Sequence, residues 1–239
     1  MVFRSLFDAL AVQCVHLNHC LSMKHILFID GVGGKPYMRG ALVRYFAAAG
    51  YQVHCFSYTP SRQSLAEIKQ ALLATWSTLQ SQAEPYVIGY SFGGVLLRLL
   101  LAEHPELRAR RLVLLASPLK AMRLSQRIQA WRSYHWTSGE CGQLVAEQEA
   151  MQAIPMPSQP TALVYGTWPY VGALGFFAGF GFAHDGMVTA EEACALPAAQ
   201  TIAVSASHGF ITSNREALDA MRAWLDADHP SQKKLKKEV

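Results

Sequence analysis

The chain has 239 residues, of which 51% are hydrophobic and 16% charged; this supports one large core and argues against wholesale disorder. Its net charge of +4 is concentrated in the tail, where Lys233, Lys234, Lys236 and Lys237 face Glu238, so a solvated terminus explains the basicity and no nucleic-acid partner is expected. The five cysteines, Cys14, Cys20, Cys55, Cys141 and Cys194, are odd in number and lack C-x-x-C spacing, which argues against a disulfide framework and for a reducing, cytoplasmic setting. There is no H-E-x-x-H, and His16 and His19 lack further ligands nearby, so no metal is expected.

Residues 1–22 carry a helical stripe of Leu6, Leu10, Cys14, Leu17 and Leu21. Asp8 and His16 interrupt its apolar part and no A-x-A site follows, unlike a signal peptide. The preferred reading is a weakly structured extension, with a chain starting at Met23 able to fold; the other is an amphipathic helix that docks on a partner or a membrane surface. No apolar stretch reaches the roughly 18 residues of a membrane span.

From Met23 onward, short apolar runs alternate with helical segments. A strand at 25–29 ends at Asp30-Gly31, a helix at 38–49 is stopped by Gly50, and a second strand covers 52–58. A helix at 64–80 carries Leu65, Ile68, Leu72, Leu73, Trp76 and Leu79 on one side. A strand at 86–90 leads into a helix at 92–103, which His104-Pro105 ends. A fourth strand spans 111–116. Residues 119–159 break the rhythm with helices and loops. Strands at 162–165 and 199–205, a loop at 166–186, a helix near 187–195 and a last helix near 212–227 complete the pattern. These elements predict an α/β domain over 23–228, with a mostly parallel sheet of about six strands, helices on both faces and a small cap or lid insertion at 119–159. A basic, disordered tail is expected at 229–239. In such sheets, chemistry gathers at the carboxyl ends of the strands.

Three motifs fall at such ends. Gly89-x-Ser91-x-Gly93, followed by Gly94, lies between a strand and a helix. A sharp turn there pushes the Ser91 hydroxyl into a cleft, and glycines let strand and helix approach closely. The Phe92 N–H at the helix start favours negative charge. Asp30-Gly31-Val32-Gly33-Gly34 follows the first strand and offers a second oxyanion N–H, Val32 first and Gly33 second. It fits neither a G-x-x-x-x-G-K-[ST] nor a G-x-G-x-x-G frame. His208, just after the last strand, is the candidate base, with His184 its competitor. Asp185, before Gly186, is the candidate orienting acid; Glu191 and Glu192 are alternatives that fall on the following helix.

These motifs, in the chain order Ser, Asp, His over about residues 23–226, resemble the α/β-hydrolase family, and within it the bacterial lipase and esterase branch. The resemblance rests on an apolar strand ending in x-G-x-G-G, then Gly-Tyr-Ser-Phe-Gly-Gly, Asp-Gly-Met-Val and Ser-His-Gly. His184 replaces the asparagine of that branch's N-D-G-x-V turn, Asp30-Gly31 replaces its histidine-glycine, and Pro169 stands where an acid often follows the fifth strand. The resemblance implies a Ser91–His208–Asp185 triad acting on an ester with an apolar acyl group, without a cofactor. Trp131, Tyr134 and Trp136 are candidates to line the acyl site. The uncharged loop at 170–183, with Phe176, Phe177, Phe180 and Phe182, reads either as an apolar flap over the cleft that could meet a lipid interface or as a buried irregular segment. Thioesters, amides and acyl transfer suit the same machinery, and a non-catalytic lipid- or partner-binding module is the reading from another class.

Overall fold

The computed structural model describes residues 23–34, 36–169, 181 and 183–227. The expected extension at 1–22, the tail and the Phe176 and Phe177 pair of the apolar loop lie outside the described residues.

Six strands form one parallel sheet in the order β2-β1-β3-β4-β5-β6. They are β1 (Lys24–Ile29), β2 (Tyr51–Phe56), β3 (Tyr86–Tyr90), β4 (Leu112–Leu115), β5 (Thr161–Gly166) and β6 (Gln200–Val204). The central strands are apolar along their length because both faces are covered. Leu27 and Ile29 of β1 join Val87, Leu112 and Leu114 in one core beneath α2 (Leu65–Gln80) and α3 (Phe92–Glu103). Ile26, Phe28, Ile88 and Val113 face the other way, against α1 (Pro36–Ala48) and α8 (Arg215–Asp226). Helix α8 is strongly amphipathic, burying Ala217, Leu218, Met221, Trp224 and Leu225. Helix α3 is buried almost all round, as expected for a helix enclosed by sheet and insertion.

The insertion between β4 and β5 is helical: α4 (Arg123–Ile128), α5 (Arg132–Ala146) and α6 (Gln148–Ala153). It is tied down at three places. Glu140 accepts the Leu65 N–H at the start of α2 (2.7 Å). The fully buried Arg98 of α3 donates to the carbonyls of Ile154 and Pro155 just past α6, where the negative helix end favours a cation. The buried Glu192 of α7 (Ala190–Ala193) accepts the Arg123 N–H (2.8 Å).

Two helices are shorter than their sequence pattern predicts. The helix expected from about 187 begins only at Ala190, because the N–H groups of Met187 and Val188 turn back onto the Asp185 carboxylate. Thr189 then caps α7 in a reciprocal box with Glu192. The last helix starts at Arg215, capped by the Asn214 side chain on the Ala217 N–H, after a 3-10 turn over His208–Ser213. Among the described residues no helix is long and apolar enough to cross a membrane, and no cluster of three or more His, Cys, Asp or Glu could hold a metal ion.

Candidate active site

Neighbouring strands β1 and β3 send their connections in opposite directions, to β2 and to β4. This is the switch point where a crevice opens at the carboxyl edge of such a sheet. The segments leaving these two strands meet there. Ser91, the residue after β3, holds φ 53 and ψ −123, a left-handed conformation costly for any residue but glycine. The surrounding glycines make it feasible. A Cβ on Gly89 would lie 2.5 Å from the Gly94 Cα, and one on Gly93 would lie 2.3 Å from the Ile29 carbonyl oxygen. A Cβ on Gly31 would come within 2.9 Å of the Ser91 Cβ, so only glycine lets the β1 loop come so close to the serine.

Ser91, His208 and Asp185 form one hydrogen-bonded chain. The Ser91 Oγ lies 2.9 Å from His208 Nε2, and His208 Nδ1 lies 2.7 Å from Asp185 Oδ2. With the carboxylate accepting from Nδ1, the proton sits on that nitrogen and leaves Nε2 free to accept from the serine. Asp185 and His208 are buried. The second Asp185 oxygen accepts the N–H groups of Met187 (2.9 Å) and Val188 (2.7 Å). Gly186 holds φ +103 in this turn, and a Cβ on Gly166 would lie 2.9 Å from the Asp185 Cβ. The His208 N–H donates to the Asp185 carbonyl (2.8 Å), and the Tyr90 hydroxyl donates to the His208 carbonyl (2.8 Å). Burial raises the Tyr90 phenol above its ordinary value, and the charges of Asp185 and Asp30 add to this, so it stays a proton donor.

The competing candidates are occupied elsewhere. His184 Nδ1 accepts the Gly186 N–H (3.1 Å) and so braces the turn. Glu191 pairs with Lys120 and Arg123 at the surface. Glu192 is not a surface residue of α7 but a buried tether, accepting Thr189 N–H and Arg123 N–H at 2.8 Å each. The Thr189-x-x-Glu192 spacing is a capping-box signature and, with Ala190, Ala193 and Cys194 around it, was the signal that could have placed this side chain inward.

For an oxyanion, Phe92 opens α3, where a first-turn N–H has no partner within the helix, and Val32 lines the cavity beside Ser91. Gly33 instead occupies the exposed side of its turn at φ +72, with no atom within 4 Å of where a Cβ would sit, so of the two only Val32 faces the cavity. The loop is held from below by Asp30, whose buried carboxylate accepts from Ser57 Oγ (2.6 Å) and from Arg39. Burial pushes the Asp30 carboxyl above its usual value, while Ser57 and then Arg39 pull it down. Asp30 thus fills the place of the histidine in the resembling branch with a hydrogen-bonded ion pair.

A cavity of about 210 Å³ extends from Ser91 and His208 under the insertion. Its walls are mostly apolar, with Met38, Met122, Leu124, Ile128, Val145 and Met187 among them. Tyr134 lines it as expected. Trp131 and Trp136 do not: they are 50% and 75% exposed and neither is in its wall. Helix α5 turns its Tyr134 and Ser138 side inward, Trp136 falls on another face, and Trp131 is the cap residue before the helix begins.

No family model and no curated protein sequence matches the chain. Solved structures do. Tomato methylketone synthase I aligns over 87% of this chain and 100% of its own, with a TM-score of 0.57 and 10% identity. An esterase from Thermogutta terrifontis aligns over 86% and 90%, with a TM-score of 0.54 and 14% identity. An α/β-hydrolase from a Mar Chica lagoon sediment metagenome aligns over 85% and 91%, with a TM-score of 0.56 and 16% identity. The chain therefore has the α/β-hydrolase fold, as its motif order implied.

Proposed function

We propose that this chain is a serine hydrolase that cleaves carboxylic esters with an apolar acyl group. The observation that carries the reading is the continuous Ser91–His208–Asp185 contact, at 2.9 and 2.7 Å, opening onto a mostly apolar cavity. His208 Nε2 takes the Ser91 proton as Oγ attacks the ester carbonyl. The backbone N–H groups of Phe92 and Val32 receive the negative oxygen. His208 then returns the proton to the departing alcohol, leaving an acyl-serine. Water, deprotonated by the same nitrogen, releases the acid and restores the serine. Asp185 holds the ring orientation and stabilises the imidazolium. This sequence of steps calls for no cofactor, and the esterase among the structures of like fold is consistent with it.

A fluorophosphonate probe and a series of p-nitrophenyl esters of rising chain length test the proposal. The expected result is stoichiometric labelling that Ser91→Ala abolishes, with turnover of short and medium esters. A chain that neither reacts with the probe nor hydrolyses any ester would be a binding module instead.

A further inference from the structure

One part of the cavity wall is not apolar. Ser125 of α4 and Tyr134 of α5 both line it, and the Tyr134 hydroxyl donates to Ser125 Oγ at 2.8 Å. The Gly142 carbonyl, 3.2 Å from the Tyr134 oxygen, is a second and longer acceptor for that same proton. Ser138, the third hydroxyl in the wall, donates to the Tyr134 carbonyl (2.6 Å). Ser125 therefore accepts one bond and keeps its own proton. Among the described residues, that proton has one further partner, the Met122 sulfur at 3.8 Å. A thioether is a weak acceptor, so the Ser125 hydroxyl is an underused donor in a mostly apolar wall. Its complement is a ligand oxygen that accepts. Ser125 is buried, so a bond made there would be shielded from water, and the bond it receives from Tyr134 polarises it as a donor.

Resting on the ester-hydrolase reading above, we propose that Ser125 sets substrate choice by donating a hydrogen bond to an acceptor oxygen within the acyl chain. The substrate class is then esters of medium-length acids whose chain carries a keto or ether oxygen at one position. A cavity of 210 Å³ holds about eight carbon-sized groups, scaling from the six-carbon benzene ring that a roughly 150 Å³ cavity accepts. An unsubstituted chain fits the apolar walls but leaves the Ser125 proton on sulfur. An oxygen at any other position of the chain gives up its water and meets hydrocarbon, which costs binding. The preference is therefore for position along the chain and not for polarity in general.

The test compares methyl octanoate with its 4-, 5-, 6- and 7-oxo analogues, reading kcat/KM in a pH-stat and dividing each by the value for methyl octanoate. In the wild-type chain one oxo position should stand about tenfold above the others, the worth of one shielded neutral hydrogen bond. Ser125→Ala should remove that peak and leave the four oxo esters alike. Tyr134→Phe, which leaves the Ser125 proton in place, should keep it. Because the ratios are read within each protein, a general loss of fold or rate cancels, and a merely structural role for Ser125 would leave the peak where it was. Four oxo esters alike in the wild type, or a peak that survives Ser125→Ala, overturns the subsite while the hydrolase reading stands. Failure to hydrolyse any of the esters, together with failure to react with the fluorophosphonate, overturns both.

Discussion

At the scale of single residues, the two Asp185 oxygens have separate tasks: Oδ2 accepts from His208 and Oδ1 accepts from the turn at Met187 and Val188. In Asp185→Asn the amide oxygen can serve only one of them. If it stays with the turn, an NH2 group faces His208 Nδ1 and forces the wrong tautomer. Ester hydrolysis should then fall steeply, yet less than in Ser91→Ala, where a loss of roughly 10⁴-fold or more is expected. His208→Ala should match Ser91→Ala, and the double variant should be little worse than either, since the two side chains act in one step. Stopped-assay kinetics on p-nitrophenyl butyrate would check the series, and multiplicative losses in the double variant would contradict a shared step. These three residues were legible in the sequence because Ser91 directly follows β3 between Gly89 and Gly93, His208 comes soon after the last strand, and Gly186 permits the turn beside Asp185. Trp136 was misread because spacing does not reveal which face of a helix the protein covers, and Trp131 because the helix begins only after it. The Tyr90 clamp on His208 pairs residues 118 positions apart, beyond the reach of any local pattern.

At the scale of elements, α7 is only four residues long and is held by its caps more than by its own ladder. Glu192 joins it to the N-terminal end of α4, and the Leu119 N–H donates to the Glu192 carbonyl (2.8 Å). One buried side chain thus ties the insertion to the turn that carries Asp185. Glu192→Gln would set an NH2 group against either the Thr189 or the Arg123 N–H, leaving a buried donor unsatisfied at a cost of about 1–3 kcal/mol. Glu191→Gln, at the exposed neighbour, should stay within about 0.5 kcal/mol of wild type. Urea melts of the two variants provide the comparison, and equal midpoints would show that the tether carries no weight. The strands were readable because burial on both faces makes them continuous apolar runs. The helix near 187 was overextended because its first residues bond to a side chain, and hydrophobic spacing carries no trace of that competition.

At the scale of the whole molecule, the sheet edge opposite the site is closed by Asp226, the last residue of α8. It accepts from Lys24 (2.9 Å) and Tyr51 (2.7 Å), the paired first residues of β1 and β2, and from Arg222 (3.2 Å). Burial would raise its carboxyl, but Lys24, Tyr51 and Arg222 together hold it below the ordinary value. A depressed folded pKa means stability that is present above the unfolded value of about 3.9 and is lost as pH falls through the folded one. Asp226→Asn should therefore lower the melting temperature at pH 7, and the gap should close in acid below the carboxylate range. The group is partly exposed, so solvent screening limits the effect to about 1 kcal/mol, or roughly 2–4 °C for a domain of this size. A gap that persists unchanged in acid would show that shape, not charge, supplies the effect.

The Tyr90 clamp bears on how the protein fails under heat. Its phenol belongs to the last residue of a central strand and holds the backbone of the histidine, while the Ser91 N–H donates to the Leu115 carbonyl at the end of β4 (2.8 Å). Ser91 and His208, the groups proposed to react, are thereby moored to the sheet. Inactivation and loss of the far-ultraviolet signal should follow one cooperative curve on warming, with no inactive but folded stage preceding collapse.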